Sequence, residues 1–98
     1  MTGIYKITNP EGKVYIGQSK NIQNRFYQHK KNSVNIGLRK SIENHGVENH
    51  LFEVIEKCSP AILLKRERFY IKKHKDNIFN LVAGRPKSEP TNVIRVPL

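Results

Sequence analysis

The stretch Gly3-Ile4-Tyr5-Lys6-Ile7-Thr8-Asn9-Pro10-Glu11-Gly12-Lys13-Val14-Tyr15-Ile16-Gly17 decides how this chain folds. Two runs rich in β-branched and aromatic residues, Ile4 to Thr8 and Val14 to Ile16, flank a Pro-Glu-Gly segment, which is the composition of an antiparallel hairpin. A loop of Pro10, Glu11 and Gly12, built as a type I turn with Gly12 left-handed, pairs Asn9 with Lys13, Ile7 with Tyr15 and Tyr5 with Gly17. Faces alternate along each strand, so Tyr5, Lys13 and Tyr15 then share one face. A loop longer or shorter by one residue moves Tyr15 to the other face. Opposite Tyr5, Gly17 has no side chain and leaves space above the phenol.

After the hairpin, Ser19 or Asn21 is placed to cap a helix over about 22–31, with Ile22 and Phe26 as its apolar stripe. Arg25 and His29 stand four residues apart on this helix and project together on a flank of the stripe, an arrangement suited to directing two polar or cationic groups at one phosphate. A second helix is predicted over 36–44, carrying Leu38 and Ile42, and His45-Gly46 is its stop signal. Residues 51–56 alternate as a third strand with apolar side chains on both faces, so helices must cover at least one of them. Ser59-Pro60 opens a further helix, predicted to reach about Lys75.

On that last helix Glu67 lies three or four residues from Leu63, Leu64, Tyr70 and Ile71, which puts a carboxylate on the face the helix should bury. A buried carboxylate is costly unless it is paired or binds a metal. An ion pair with Arg25 or Lys13 and a metal-binding role both satisfy it at this point. The opposite face carries Lys65, Arg66, Arg68, Lys72, Lys73 and Lys75, a stripe that can follow a phosphodiester backbone and give affinity without sequence specificity. Residues 78–82 close the domain as an extended segment with Asn80 at its centre.

The 98 residues allow one compact domain. Eighteen Lys and Arg against eight Asp and Glu give a formal net charge of +10, which favours a polyanionic partner. Most of that charge lies in residues 1–83, so it belongs to the folded part. With Cys58 as the only cysteine, neither a disulfide framework nor a cysteine zinc site is available, and a small buried apolar residue is its expected role. No run approaches the ~20 apolar residues that span a bilayer, and Met1-Thr2-Gly3 leads directly into a strand rather than a signal peptide. A soluble, intracellular protein with no membrane partner is expected.

The tripeptides Gly3-Ile4-Tyr5 and Tyr15-Ile16-Gly17, with Arg25, His29 and Glu67 following at these positions, resemble the GIY-YIG nuclease family over about residues 2–83. The resemblance implies an α+β fold, a small three-stranded antiparallel sheet flanked by helices, with a divalent-metal phosphodiesterase site on one face of the sheet. It implies that Tyr5, Tyr15, Arg25, His29 and Glu67 are catalytic, that Glu67 binds the metal, that Gly17 and Lys13 support the site, and that Asn80 matches an asparagine that often follows the glutamate. The implied chemistry is hydrolysis of DNA with one Mg²⁺ or Mn²⁺ on Glu67 and a water attacking in line. Tyr5 would be the base for that water, helped by positive charge from Lys13, Arg25 and the metal. Arg25 would stabilise the phosphoryl oxygens, Tyr15 would orient water or phosphate, and His29 would protonate the leaving group or bind phosphate. Some homing-endonuclease members carry another histidine in the linker between the first two helices, where this chain has Ser33.

Residues 84–98 form a basic, Pro-containing tail that reads as a linker and as the start of a truncated DNA-targeting region. Gly84-Arg85-Pro86 resembles the core of a minor-groove AT-hook, and residues 91–98 resemble the DNA-reading strand of ribbon-helix-helix proteins. Two rival functions exist. A non-catalytic nucleic-acid-binding module would need only the charge and the basic helix, but it gives no reason for Glu67 on an apolar face. A metal site of His45, His50 and His74 with one carboxylate has loose spacing and no cysteine. Whether the protein acts as a monomer or a weak dimer is not encoded in any of these motifs.

Overall fold

The computed structural model describes residues 1–80. Strands β1 (Gly3–Thr8), β2 (Val14–Ser19) and β3 (Leu51–Lys57) form an antiparallel sheet in the order β2-β1-β3. Helices α1 (Ile22–Asn32) and α2 (Ile36–His45) lie between β2 and β3, and a short 3-10 turn over Pro60–Ile62 leads into α3 (Leu63–Lys73). Tyr5 pairs with Gly17 and Ile7 with Tyr15, as the three-residue loop requires. Two features fix that loop. Gly12 adopts a positive φ of 86°, open only to glycine at low cost, and the Asn9 side chain accepts from the backbone N–H groups of Glu11 and Lys13 at 3.0 and 2.8 Å.

Helices α1 and α2 each start where a side chain satisfies an orphan N–H. Asn21, rather than Ser19, caps α1 by accepting from Asn24, and Asn35 caps α2 by accepting from Leu38 at 2.9 Å. Gly46, with φ 85°, ends α2 by donating to the carbonyl of Ile42. The sheet is covered on both sides. Ile4, Val14, Ile16 and Leu63 form one core layer beneath α3, while Tyr5, Ile7, Ile22 and Leu38 form the other beneath α1 and α2. Register between β1 and β3 shifts at Ile4/Tyr5, where Glu56 faces Ile4 and Val54 faces Tyr5; Ile55, between them, packs on the α3 layer.

Three expectations differ in detail. Proline begins the last helical segment as predicted, but it starts a 3-10 turn, and the α-helix stops at Lys73 rather than near Lys75. Leu64 is 53 % exposed and does not join the core, because Leu63, Tyr70 and Ile71 already fill the stripe that α3 turns to the sheet. Cys58 is half-buried against the same layer. Among the described residues no helix is long and apolar enough to cross a membrane.

The edge of β2 is closed by the segment after α3. Ile78 bridges Val14 in parallel, Val14 N–H donates to the carbonyl of Asn77 and Phe79 N–H to that of Val14. The side-chain amide of Asn80 then takes the place of a backbone: its Oδ1 accepts from Ile16 N–H at 2.9 Å and its Nδ2 donates to Ile16 C=O at 2.7 Å. Asn80, matched above only by resemblance, thus satisfies both edge groups of the residue between Tyr15 and Gly17. Residues 81 and 82 of the predicted extended segment, and the tail 84–98, lie outside the described residues.

Candidate active site

Tyr5 is the centre of the arrangement. Its side chain is fully buried, and its ring lies so close over Gly17 that a methyl group there would overlap Cζ and the hydroxyl. The ring meets Phe26 edge-on at 5.3 Å, tilts against Tyr15 at 6.2 Å, and brings its hydroxyl within 2.7 Å of Nε2 of His29. Burial pushes the phenol well above its ordinary range; the neighbouring Tyr15 and Glu67 add to this and Arg25 opposes it. Tyr15, half-buried, is raised for the same first reason and also by Glu67. Both phenols are therefore protonated at neutral pH in the protein by itself.

His29 is buried beside Tyr5. It is 3 % exposed, its Nε2 meets Tyr5, and its Nδ1 lies 2.9 Å from Ser33 Oγ. Burial, with the nearby Arg25 charge, pushes its pKa down to about 4, so the imidazole is neutral at pH 7. The neutral imidazole is a hydrogen-bond partner of Tyr5 and lines the same cavity as Arg25. Arg25, one turn earlier, is exposed, and with Gln28, His29, Asn32, Ser33 and Val34 it lines a cavity of about 60 Å³ beside α1. Lys13 is also exposed, its ammonium lying 4.8 Å from the centre of the Phe79 ring.

Glu67 reaches the group from the other side. It stands on α3, which packs on the sheet face opposite Tyr5, yet its charge acts on both tyrosines. The side chain comes to them at the edge strand β2, where Gln18, whose alternation turns it toward α3, donates from Nε2 to Oε1 at 3.1 Å. The Glu67 carboxylate thus lies beside Gln18 of the edge strand β2. Glu67 is half-buried and makes no ion pair with Arg25, Lys13 or any other described residue.

The basic face of α3 needs one revision. Arg66 is engaged: Nε and Nη2 donate to the two oxygens of Glu56 at 2.8 and 2.7 Å, Tyr70 donates to Oε1, and the guanidinium lies over Phe69 at 4.5 Å. Lys65, Arg68, Lys72 and Lys73 remain exposed. The rival metal site of His45, His50 and His74 is not assembled among the described residues. His50 is buried between Ser41 Oγ and the carbonyl of Gly46, and no group of three metal-ligating side chains occurs among the described residues. Two residues of the site escaped the sequence reading, Gln18 and Ser33. Both had a positional signal: Gln18 continues the Val14, Ile16 alternation, and Ser33 follows His29 by four.

The fold and this arrangement define an α+β nuclease domain. The chain belongs to the GIY-YIG family, whose catalytic domain matches residues 1–80. That family places it among DNA endonucleases. It is similar to the solved catalytic domain of the homing endonuclease I-TevI, at 28 % identity and a TM-score of 0.75 over 85 % of this chain and all of that one. A mutant form of the catalytic domain of intron endonuclease I-TevI is similar at 29 % identity and a TM-score of 0.72, covering 81 % of this chain and 91 % of that one. No curated protein sequence matches significantly.

Proposed function

We propose that the protein hydrolyses phosphodiester bonds in DNA with one divalent ion, Mg²⁺ or Mn²⁺, on Glu67 and with Tyr5 as the base. The observation that carries this reading is the half-buried Glu67 carboxylate, held at one oxygen by Gln18 and lacking a cationic partner among the described residues, beside two phenols. Mg²⁺ commonly takes one or two carboxylates plus waters and substrate phosphate, so a single carboxylate fits it where a closed cage of protein ligands would not be expected. Such an ion supplies Lewis-acid stabilisation of the phosphate and lowers the pKa of nearby oxygen acids.

The chain's own groups divide the remaining work. The Tyr5 hydroxyl, pinned by Gly17 and beside His29, is the positioned proton acceptor once ionised, its own proton passing to solvent. Arg25, exposed at the cavity mouth, binds a non-bridging phosphate oxygen and stabilises charge that develops there. Tyr15 orients water or phosphate beside Tyr5. Lys65, Arg68, Lys72 and Lys73 hold the flanking backbone.

Nicking of supercoiled plasmid in Mg²⁺, in EDTA, and by Glu67→Ala tests the reading. Metal-dependent nicking that Glu67→Ala loses is expected. Retained cleavage by Glu67→Ala would remove the metal assignment, and salt-sensitive binding without cleavage in any metal would favour a binding module.

A further inference from the structure

A second buried histidine, His50, lies outside the active site, between the 3-10 turn Val47–Asn49 and the start of β3. Its ring is engaged at both nitrogens. Nδ1 lies 2.8 Å from the carbonyl oxygen of Gly46, and Nε2 lies 2.9 Å from Oγ of Ser41 on α2. The contacts continue into the hairpin loop, where Asn9 Nδ2 lies 3.1 Å from the same serine oxygen. Asn9 and Ser41 are buried as well.

Both ends of this chain permit one direction only. A carbonyl oxygen accepts and cannot donate, so a neutral His50 ring carries its proton on Nδ1 and presents Nε2 bare. At the other end, Asn9 Oδ1 accepts from the backbone N–H groups of Glu11 and Lys13 at 3.0 and 2.8 Å. Those two donors assign the amide oxygen to the loop and the amide nitrogen to Ser41. An amide nitrogen donates, so Ser41 Oγ accepts from Asn9 and gives its own proton to His50 Nε2. The opposite tautomer would set two acceptors, bare Nδ1 and the Gly46 oxygen, against each other at 2.8 Å. Leaving buried polar groups unpaired in that way is costly. The second hydrogen of the Asn9 amide is unaffected by the choice.

We propose that His50 is a positioning residue for the hairpin that carries the two tyrosines. The Gly46 carbonyl fixes it as the Nδ1–H tautomer, its bare Nε2 draws the Ser41 proton, and the Ser41 lone pairs are thereby turned to the Asn9 amide, whose oxygen holds the loop. That loop shares the task with its backbone bonds from Gly12 to Asn9 and from Asn9 to Lys13. Its three-residue length keeps Tyr15 on the face of Tyr5. For cleavage, the consequence rests on the reading of those tyrosines as working residues of the site.

The test begins with a long-range ¹H–¹⁵N correlation spectrum of the metal-free, DNA-free full chain at pH 8, above the ordinary histidine pKa of ~6.5. For His50, assigned by the signals that His50→Asn removes, a protonated, pyrrole-type Nδ1 and a bare, pyridine-type Nε2 are expected. Ser41→Ala should leave Nδ1 protonated and move Nε2 toward the shift of an unbonded ring nitrogen. It should also speed amide exchange at Glu11 and Lys13 by about fivefold, the effect of losing one hydrogen bond. Exchange at Asn24, whose N–H is held by the Asn21 side chain on α1, should not change. His50→Asn keeps a donor for Gly46 without the acceptor for Ser41, so alone it should speed the same two amides, and added to Ser41→Ala it should have no further effect. A protonated Nε2 with bare Nδ1 in the wild-type chain would overturn the proposal. Unchanged exchange at Glu11 and Lys13 in Ser41→Ala, or equal acceleration at Asn24, would overturn it as well. None of these readings involves metal, DNA or cleavage, so they stand apart from failure of the nuclease assay.

Discussion

Tyr5 and Gly17 are cross-strand partners, and the phenol of one occupies the space where the other would carry a side chain. The two tripeptides of the hairpin are therefore one spatial unit: the last residue of the second makes room for the last residue of the first.

Gly17→Ala should expel the Tyr5 ring from its place. The overlap falls on the ring itself, which is packed against Phe26 and has no free direction to move. Overpacking of this kind costs about 1–3 kcal/mol. A lowered thermal midpoint together with loss of nicking is the expected outcome, measured by thermal denaturation and plasmid cleavage; unchanged cleavage would mean that the phenol's position is not critical.

Asn80→Ala leaves Ile16 N–H and C=O without their side-chain partners at the β2 edge. Exposing or orphaning such groups costs about 1–3 kcal/mol. Amide exchange at Ile16 should accelerate far more than at Ile4, which lies on the inner strand β1, and native-state hydrogen exchange checks it.

The hairpin, its register and the helix starts were legible because their signals are local: a turn composition, a period of two, and a capping asparagine. The sequence also drew attention to Glu67, since a carboxylate among Leu63, Tyr70 and Ile71 is anomalous within one helix. It did not say from which side of the sheet Glu67 arrives, because the crossing from β3 to α3 that sets the layer is a tertiary choice. The same limit explains Arg66. Its helical position marked it as basic surface, but its fork is matched to Glu56, on a strand whose facing depends on the register shift beside Tyr5. His29 was placed correctly on α1, but i, i+4 spacing with Arg25 does not reveal that its ring is buried against the Tyr5 hydroxyl.

Arg66 and its neighbours should separate in solution. Lys65→Ala, Arg68→Ala or Lys72→Ala is expected to weaken DNA binding, each lowering the slope of log affinity against log salt by about 0.9 where a phosphate contact is lost. Arg66→Ala should leave that slope unchanged and lower the thermal midpoint, since it breaks the contact with Glu56 and the stacking on Phe69. Filter binding across a salt series and thermal melts distinguish the two behaviours.

Stability should fall on mild acidification. His29 titrates near 6.5 when unfolded and is pushed down to about 4 when folded, so the unfolded chain binds more protons between those values. The contribution is fully present above pH 6.5 and is lost as pH falls toward 4. Its size is about 3 kcal/mol at most. His29→Gln, neutral throughout, should flatten this part of the curve in urea denaturation at stepped pH.

In the proposed reaction one oxygen atom, the Tyr5 hydroxyl, performs the proton transfer. Tyr5→Phe keeps the ring over Gly17 and removes only that atom, so single-turnover cleavage of a DNA duplex in Mg²⁺ by this variant is the most direct test. Intact DNA binding with cleavage slowed by about 10²-fold or more is expected. Cleavage within about twofold of the wild-type rate, well short of that general-base contribution, would contradict it.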